Sequence, residues 1–240
     1  MTARAIVIED APEFAALARH VLEDAGYDVT VVADGADGVA AVRSLAPEMV
    51  MVDLGLPRLD GIEVCRQVRT FSDAYLMVVT GRDGEAELVK GFEAGADDYV
   101  TKPYSPAELG ARVSALQRRP RTVAGQNGEV REYGPLRLDP AAREVSLHGQ
   151  RLHLTRTEFD ILDRLTSSPG TTVSRTQLSQ QVWGAAPAVG SSVLDVHVGN
   201  LRKKLGEPSR RPRLIVSVRG VGFRFEAPET EALRSRWAVS

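Results

Sequence analysis

At 240 residues, with 43% apolar and 26% charged residues, the chain is long enough for two domains of ordinary size and has the balance of a soluble globular protein. Nothing approaches the run of about eighteen apolar residues that a membrane span needs, and MTARAIVIED sets acids where a signal peptide needs its apolar core, so the expectation is a cytoplasmic protein without a membrane partner. The net charge of -2 divides unevenly: residues 1 to 117 carry 10 Lys and Arg against 20 Asp and Glu, a net of -10, and residues 118 to 240 carry 20 against 12, a net of +8, which suggests an acidic half that handles a cation or phosphate and a basic half that meets a polyanion.

In the first half, short apolar runs alternate with segments of helical period. Ala5 to Ile8 reads as a strand, and Pro12 to Ala25 as a helix with Phe14, Leu17, Val21 and Leu22 on one side and Gly26 as its stop. Val29 to Val32, Met49 to Val52, Leu76 to Val79 and Tyr99 to Val100 read as further strands. Gly35 to Ala46, Ile62 to Thr70, Glu85 to Ala94 and Pro106 to Arg118 read as the helices that follow. Repeated βα units predict a parallel sheet with right-handed crossovers and helices on both faces. Residues 1–118 are therefore expected to form one α/β domain. Cys65, the single cysteine, excludes an intramolecular disulfide and any multi-cysteine metal site, and it reads as a small buried apolar residue on a helix.

The stretch MVMVDLGLPRLDG, Met49 to Gly61, organises this half. An unbroken apolar run bounded by turn residues fits a strand buried on both faces, and in an open α/β sheet the ligand site lies at the carboxyl ends of the strands. Asp53 ends that run. Taken alone, an Asp there could equally start a turn. Its company decides: the first strand ends in Glu9-Asp10, the fourth in Thr80, and the fifth is followed by Lys102-Pro103. Three carboxylates, a hydroxyl and an ammonium are thus brought to one edge. Carboxylates crowded together repel, which favours a divalent cation among them, and hard oxygen ligands suit Mg²⁺.

Glu9-Asp10, Asp53 with Pro57 and Asp60-Gly61, Thr80, and GADDYVTKPY from Gly95 to Tyr104 resemble the receiver domain of two-component response regulators. The resemblance implies a doubly wound sheet of order 2-1-3-4-5, the order the flavodoxin-like folds share. It further implies that Asp53 accepts a phosphoryl group, that Asp10, Asp53 and the Gly55 carbonyl ligate Mg²⁺, and that Glu9 acts through metal-bound water. Lys102 and Thr80 would contact the phosphoryl oxygens, and Tyr99 would be the aromatic switch. The haloacid dehalogenase-like phosphatases combine similar residues, but they need a second Asp two positions after the nucleophile, where this chain has Gly55, and their nucleophile usually follows the first strand.

Residues 119–131 lack apolar periodicity and contain Pro120, Gly125, Asn127 and Gly128, the composition of a flexible linker. A second domain is expected over 132–227, with a tail over 228–240. It opens with short β segments at Leu136 to Leu138, Glu144 to Leu147 and Leu152 to Leu154. Thr155 then caps a helix through the box TRTE, whose apolar stripe is Phe159, Ile161, Leu162 and Leu165. Ser174 starts a short helix. Ser192 to Leu205 forms a third, apolar at Leu194, Val198, Leu201 and Leu205 and basic elsewhere. Leu214 to Phe225 reads as a hairpin about Gly220-Val221-Gly222, carrying Arg219 and Arg224. Three helices and a hairpin make a winged helix, whose third helix enters the major groove.

LTRTEFDIL, DVHVGNLRKKL and SVRGVGFRF are similar to the effector domain of the OmpR/PhoB family. The implied function is a phosphorylation-dependent transcriptional regulator that takes its phosphoryl group from a sensor histidine kinase. It would dimerise through its receiver and bind tandem half-sites on double-stranded DNA, with RNA polymerase as a further partner, and it would not be an enzyme in its own right. The expected DNA contacts are His197, Asn200, Arg202, Lys203, Lys204, Arg219 and Arg224. Two positions depart from the family. Gly199 stands where many members carry a basic or hydroxyl residue, and Leu88 where the family often has a base for an intersubunit salt bridge, with Lys90 nearby. A regulator that binds DNA without phosphorylation is the remaining alternative, and the intact set of acids, Thr80 and Lys102 argues against it.

Overall fold

In a computed structural model, the described residues are 2–81, 85–118, 129–184, 191–208 and 211–228. The chain divides into two compact units, with the first break between them after Arg118.

The first unit alternates strand and helix throughout: β1 (Ala3–Ile8), α1 (Pro12–Asp24), β2 (Tyr27–Val32), α2 (Gly35–Leu45), β3 (Met49–Asp53), α3 (Gly61–Arg69), β4 (Tyr75–Thr80), α4 (Glu85–Glu93), β5 (Asp98–Thr101) and α5 (Pro106–Arg118). The sheet has the order β2-β1-β3-β4-β5 with every pairing parallel, as expected from the sequence. Local chemistry sets the helix ends. Pro12 opens α1 where an unbonded N–H costs nothing, the Asp34 carboxylate accepts from the amides of Ala36 and Asp37, and that of Asp60 accepts from Ile62. Gly26, at φ +86°, takes the left-handed turn that reverses the chain into β2.

Strand alternation sends Ala5, Val7, Met49, Met51, Met77 and Val79 to one face, where they pack with Ala18, Val21 and Leu22 of α1 and Leu109, Val113 and Leu116 of α5. Ile6, Ile8, Val50, Val52, Leu76 and Val78 are buried on the other face. One glycine lets a helix approach there: a Cβ on Gly38 of α2 would lie 2.5 Å from Ile8. With each fully buried aliphatic side chain worth about 1.5–3 kcal/mol, this double packing fixes the central strands and hence the residues at their ends.

The second unit begins with an antiparallel sheet of order β6-β7-β8-β9: β6 (Arg131–Tyr133), β7 (Leu136–Asp139), β8 (Glu144–Leu147) and β9 (Gln150–Arg151). Then come α6 (Arg156–Thr166), β10 (Thr172–Ser174), α7 (Arg175–Trp183), α8 (Ser191–Lys204), β11 (Ile215–Val218) and β12 (Gly222–Phe225), with the last strands forming a sheet of order β10-β12-β11. The capping box of α6 is complete: Thr155 Oγ1 accepts from the Glu158 amide at 3.2 Å and Glu158 Oε2 accepts from the Thr155 amide at 2.8 Å. Such a cap contributes about 1 kcal/mol. Phe159, Ile161, Leu162 and Leu165 are all buried, as their spacing predicts.

One expectation for this unit changes, and two strands were not foreseen. The strand predicted at Leu152 to Leu154 lies instead at Gln150–Arg151, because His148 and Gly149 both take positive φ, 52° and 76°, and reverse the chain in two residues so that Leu147 pairs with Gln150. β6 and β10 are strands of three residues that carry no recognisable alternation. Of the expected linker and tail, residues 119–128 and 229–240 lie outside the described residues.

Candidate functional site

The register of the first sheet places the predicted residues side by side. Ile8 pairs with Val52, Asp53 with Val79 and Thr80 with Thr101, so the residues that follow β1, end β3, end β4 and follow β5 form one row. The Lys102 amide donates to the Thr80 carbonyl at 2.8 Å, bringing that side chain back over the edge. The Lys102 Nζ lies 2.6 Å from Glu9 Oε2 and 2.9 Å from Asp53 Oδ2. It also sits 4.3 Å from the centroid of the Phe14 ring, which is in turn 5.9 Å from that of Tyr104. The ammonium therefore meets two carboxylates and the negative face of an aromatic ring.

Asp53 is nearly buried, and its Oδ1 accepts from the Gly55 amide at 3.0 Å. Behind it, a Cβ on Gly61 would stand 2.0 Å from the Asp53 carbonyl oxygen. Only glycine lets the first turn of α3 close on the strand end, which explains the Asp60-Gly61 pair. The loop between them rests on α2: Arg58 pairs with Asp34 at 2.8 Å, and a Cβ on Gly35 would meet the Leu59 carbonyl at 2.8 Å.

Glu9 is buried, and this desolvation pushes its carboxyl above the ordinary value of 4.5; the hydrogen bond and charge of Lys102 oppose the rise, and the Asp53 charge adds to it. Burial likewise pushes the Tyr104 hydroxyl up to about 12, with Glu9 and Asp53 adding to the effect. Glu9, Asp10 and Asp53 each offer a carboxylate oxygen, all within 4.8 Å of one another, and Asp10 is open to solvent. The donor set is all oxygen and a buried acid in it is costly to ionise, so the three residues fit a hard divalent cation. Thr80 is buried in the same row, and Tyr99 is buried on β5 with its ring 6.3 Å from that of Phe92 on α4.

In the second unit the predicted DNA residues separate into two groups. Asn200 is half-buried, Lys203 is exposed on α8, and Arg219 is exposed at the hairpin turn beside Val221. Arg224 pairs with Glu226. The second group is His197, Arg202 and Lys204. His197 is 1% exposed: it stands three residues after Leu194 and four before Leu201, on the apolar side of the helix, so it packs rather than facing DNA. Arg202 donates from Nε and Nη2 to the Ile215 carbonyl at 2.9 and 2.6 Å, and from Nη2 to Ser217 Oγ at 3.0 Å. Lys204 Nζ lies 2.6 Å from Oε2 of the buried Glu158, which ties α8 to α6.

Residues 5–114 match the family model of the response regulator receiver domain, and residues 149–225 that of the transcriptional regulatory protein C-terminal domain. Sensory transduction protein RegX3 of Mycolicibacterium smegmatis is 40% identical over 223 residues, covering 92% of this chain and 98% of that protein. The chain belongs to the OmpR/PhoB family of response regulators. The DNA-binding response regulator MtrA of the same organism is 37% identical over 95% of this chain and 99% of its own length, and response regulator MprA of Mycobacterium tuberculosis is 39% identical over 93% and 97%. Among solved structures, a mutant of RitR superposes with a TM-score of 0.77 over 94% of this chain and 100% of that one; at 23% identity it supports the fold alone.

As an OmpR/PhoB-type regulator, the chain is a two-component response regulator that joins a receiver to a DNA-binding domain. No helix among its described residues is long and apolar enough to cross a membrane. Several residues around the receiver site escaped sequence reasoning. Phe14 lies on the apolar stripe of α1, and nothing in that period marks it as a neighbour of Lys102. The Arg58 contact to Asp34 joins residues 24 apart across two loops. Arg69 at the end of α3 pairs with fully buried Asp97 and donates to the carbonyls of Gly95 at 2.7 Å and Ala74 at 2.5 Å. On α4, Lys90 pairs with Glu87 of its own helix at 2.7 Å.

Proposed function

We propose that this regulator is switched by phosphorylation of Asp53. The observation that carries the reading is the pairing of the Lys102 ammonium with both Asp53 and Glu9 at a strand-end row that also holds Asp10 and Thr80. An Asp53 carboxylate oxygen attacks the phosphorus of a phosphohistidine on a sensor kinase. A new O–P bond forms, the N–P bond of the donor breaks, and its electron pair returns to the imidazole. Asp53 is suited to this because its Oδ1 is held by the Gly55 amide and Gly55 has no side chain to cover the carboxylate. Mg²⁺, held by Asp10, Asp53 and the Gly55 carbonyl with Glu9 acting through water, would supply charge neutralisation at the transferring group. Lys102 exchanges one carboxylate partner for a phosphoryl oxygen, and the Thr80 hydroxyl donates to another.

The acyl phosphate carries roughly two negative charges and offers Thr80 and Lys102 contacts that the free carboxylate lacks. Those contacts bias Tyr99 and the α4, β5 and α5 face toward a second arrangement, in which two receivers pair. The expected domain limits are 1–118 for the receiver, 119–131 for the linker, whose last residue already pairs in β6, and 132–227 for the winged helix. Two winged helices then occupy tandem half-sites on double-stranded DNA, α8 in the major groove through Asn200 and Lys203 and the β11–β12 wing along the backbone through Arg219, with RNA polymerase as the downstream partner. Incubation of the full chain with acetyl phosphate and a magnesium salt is expected to add a single phosphoryl group, read by intact mass. Unchanged labelling of Asp53→Ala refutes the assignment.

A further inference from the structure

Arg202 and Glu207 converge on one residue of the wing. Strand β11 is the outer strand of its sheet, so backbone groups on its free side have no strand to pair with. At Ile215 those groups are taken from the direction of the recognition helix. Arg202, in the last turn of α8, gives two hydrogen bonds to the Ile215 carbonyl and one to Ser217 Oγ. Glu207, three residues beyond the end of α8, accepts from the Ile215 amide through Oε2 at 3.1 Å, and through Oε1 from the amides of Arg213, at 2.5 Å, and Leu214. The Arg202 guanidinium also lies 5.9 Å from the ring centroid of Phe223, whose residue pairs with Ser217 across the hairpin, and that of Arg175 lies 4.9 Å from the same ring. The acceptor of Ile215 is thus held from the last turn of α8 and its donor from the loop that follows.

We infer that Arg202 and Glu207 form a clasp that fixes the angle between the recognition helix and the wing, and so are positioning residues for DNA recognition. A planar guanidinium that reaches a carbonyl twice and a hydroxyl once holds a direction as well as a distance. Beyond the clasp, the hairpin continues three residues to the turn that carries Arg219. A swing at its root is passed on to that side chain. This differs from the sequence expectation, in which Arg202 meets the nucleic acid directly. It rests on the proposed wing contact of Arg219 and goes beyond it by naming what aims the wing.

The two readings part at the carboxylate. Near DNA, removing an acid tightens binding if electrostatics alone acts, because Glu207 repels phosphate. Removing part of a clasp weakens binding instead. The test is a double-mutant cycle on the full-length chain, using a duplex selected from a random pool by the wild-type protein. Glu207→Ala is expected to bind about threefold or more weaker than wild type, and the loss caused by Arg219→Ala is expected to shrink by about threefold or more in that background. Arg202→Lys keeps the charge but cannot make the forked contact, so it is expected to behave as Glu207→Ala does. It carries the same comparison should Glu207→Ala fail to fold, which circular dichroism reads. Affinity of Glu207→Ala equal to or tighter than wild type overturns the clasp. So does an Arg219→Ala loss of the same size in every background. If Arg219→Ala has no effect even in the wild-type background, the wing contact itself falls and the inference falls with it.

Discussion

Replacing Lys102 by Ala is the sharpest probe of the acidic site, because the resulting energy must depend on pH in a calculable way. The substitution strips Glu9 of the cation 2.6 Å away and leaves it facing Asp53. Breaking a buried pair by removing one partner costs about 3–5 kcal/mol if the remaining charge stays ionised. Glu9 has a cheaper way out, which is to take a proton. In the unfolded chain it titrates near 4.5, so protonating it at about pH 7 costs roughly 1.4 kcal/mol for each of about 2.5 pH units, or about 3.5 kcal/mol. That figure is the ceiling on its share of the loss. The direction follows from linkage. Burial already raises the folded pKa of Glu9, and removing the Lys102 charge and hydrogen bond raises it further. A raised folded pKa gives stability that is fully present below the unfolded value and is lost as pH climbs through the folded one. Urea unfolding of the receiver transition, followed by far-UV circular dichroism in the presence of EDTA, is therefore expected to show Lys102→Ala about 2–3 kcal/mol below wild type near pH 7.5 and much closer to it near pH 5. Magnesium should restore part of the difference. A deficit that stays constant across that range refutes the picture of Glu9 as a buried acid whose charged form Lys102 favours.

Glu158→Ala removes the acceptor of the Thr155 amide and the partner of Lys204 together, and it is expected to cost about 2–3 kcal/mol of C-terminal domain stability. Glu158→Gln keeps an acceptor for the amide and should lose less than half of that; equal losses for the two would show that the capping bond contributes nothing. Burial pushes the Cys65 thiol up to about 12, so a disulfide reagent near neutral pH should modify it only as fast as the receiver opens. Labelling of the folded protein at the rate of the urea-unfolded chain would contradict its burial.

What the sequence discloses depends on the distance over which each contact acts. Met49–Asp53 is legible because a strand buried on both faces is apolar throughout, and the strand-end rule then delivers Asp53, Glu9, Thr80 and Lys102 to one edge. The Thr155 and Glu158 capping box is equally local, its partners being three residues apart. The burial of His197 is legible too, since its spacing from Leu194 and Leu201 puts it on the apolar stripe; its polar character alone argues for the DNA-facing set. Arg202 and Lys204 lay beyond reach. Their partners, Ile215 and Glu158, are 13 and 46 residues away, and a basic side chain on a helix looks the same in sequence whether it meets phosphate or a carbonyl. The three-residue strands Arg131–Tyr133 and Thr172–Ser174 are too short to show a period of two, so only their pairing defines them.

Phosphorylation of Asp53 is the step proposed to control the winged helix. Its most direct test measures the affinity of the full chain for a selected duplex, with and without acetyl phosphate and magnesium, beside the same pair of measurements on Asp53→Ala. The wild-type chain should bind more tightly after treatment, the variant should not respond, and both should lose affinity as salt rises. Equal affinity of the wild-type chain before and after treatment, with mass spectrometry showing Asp53 phosphorylated, would contradict the account.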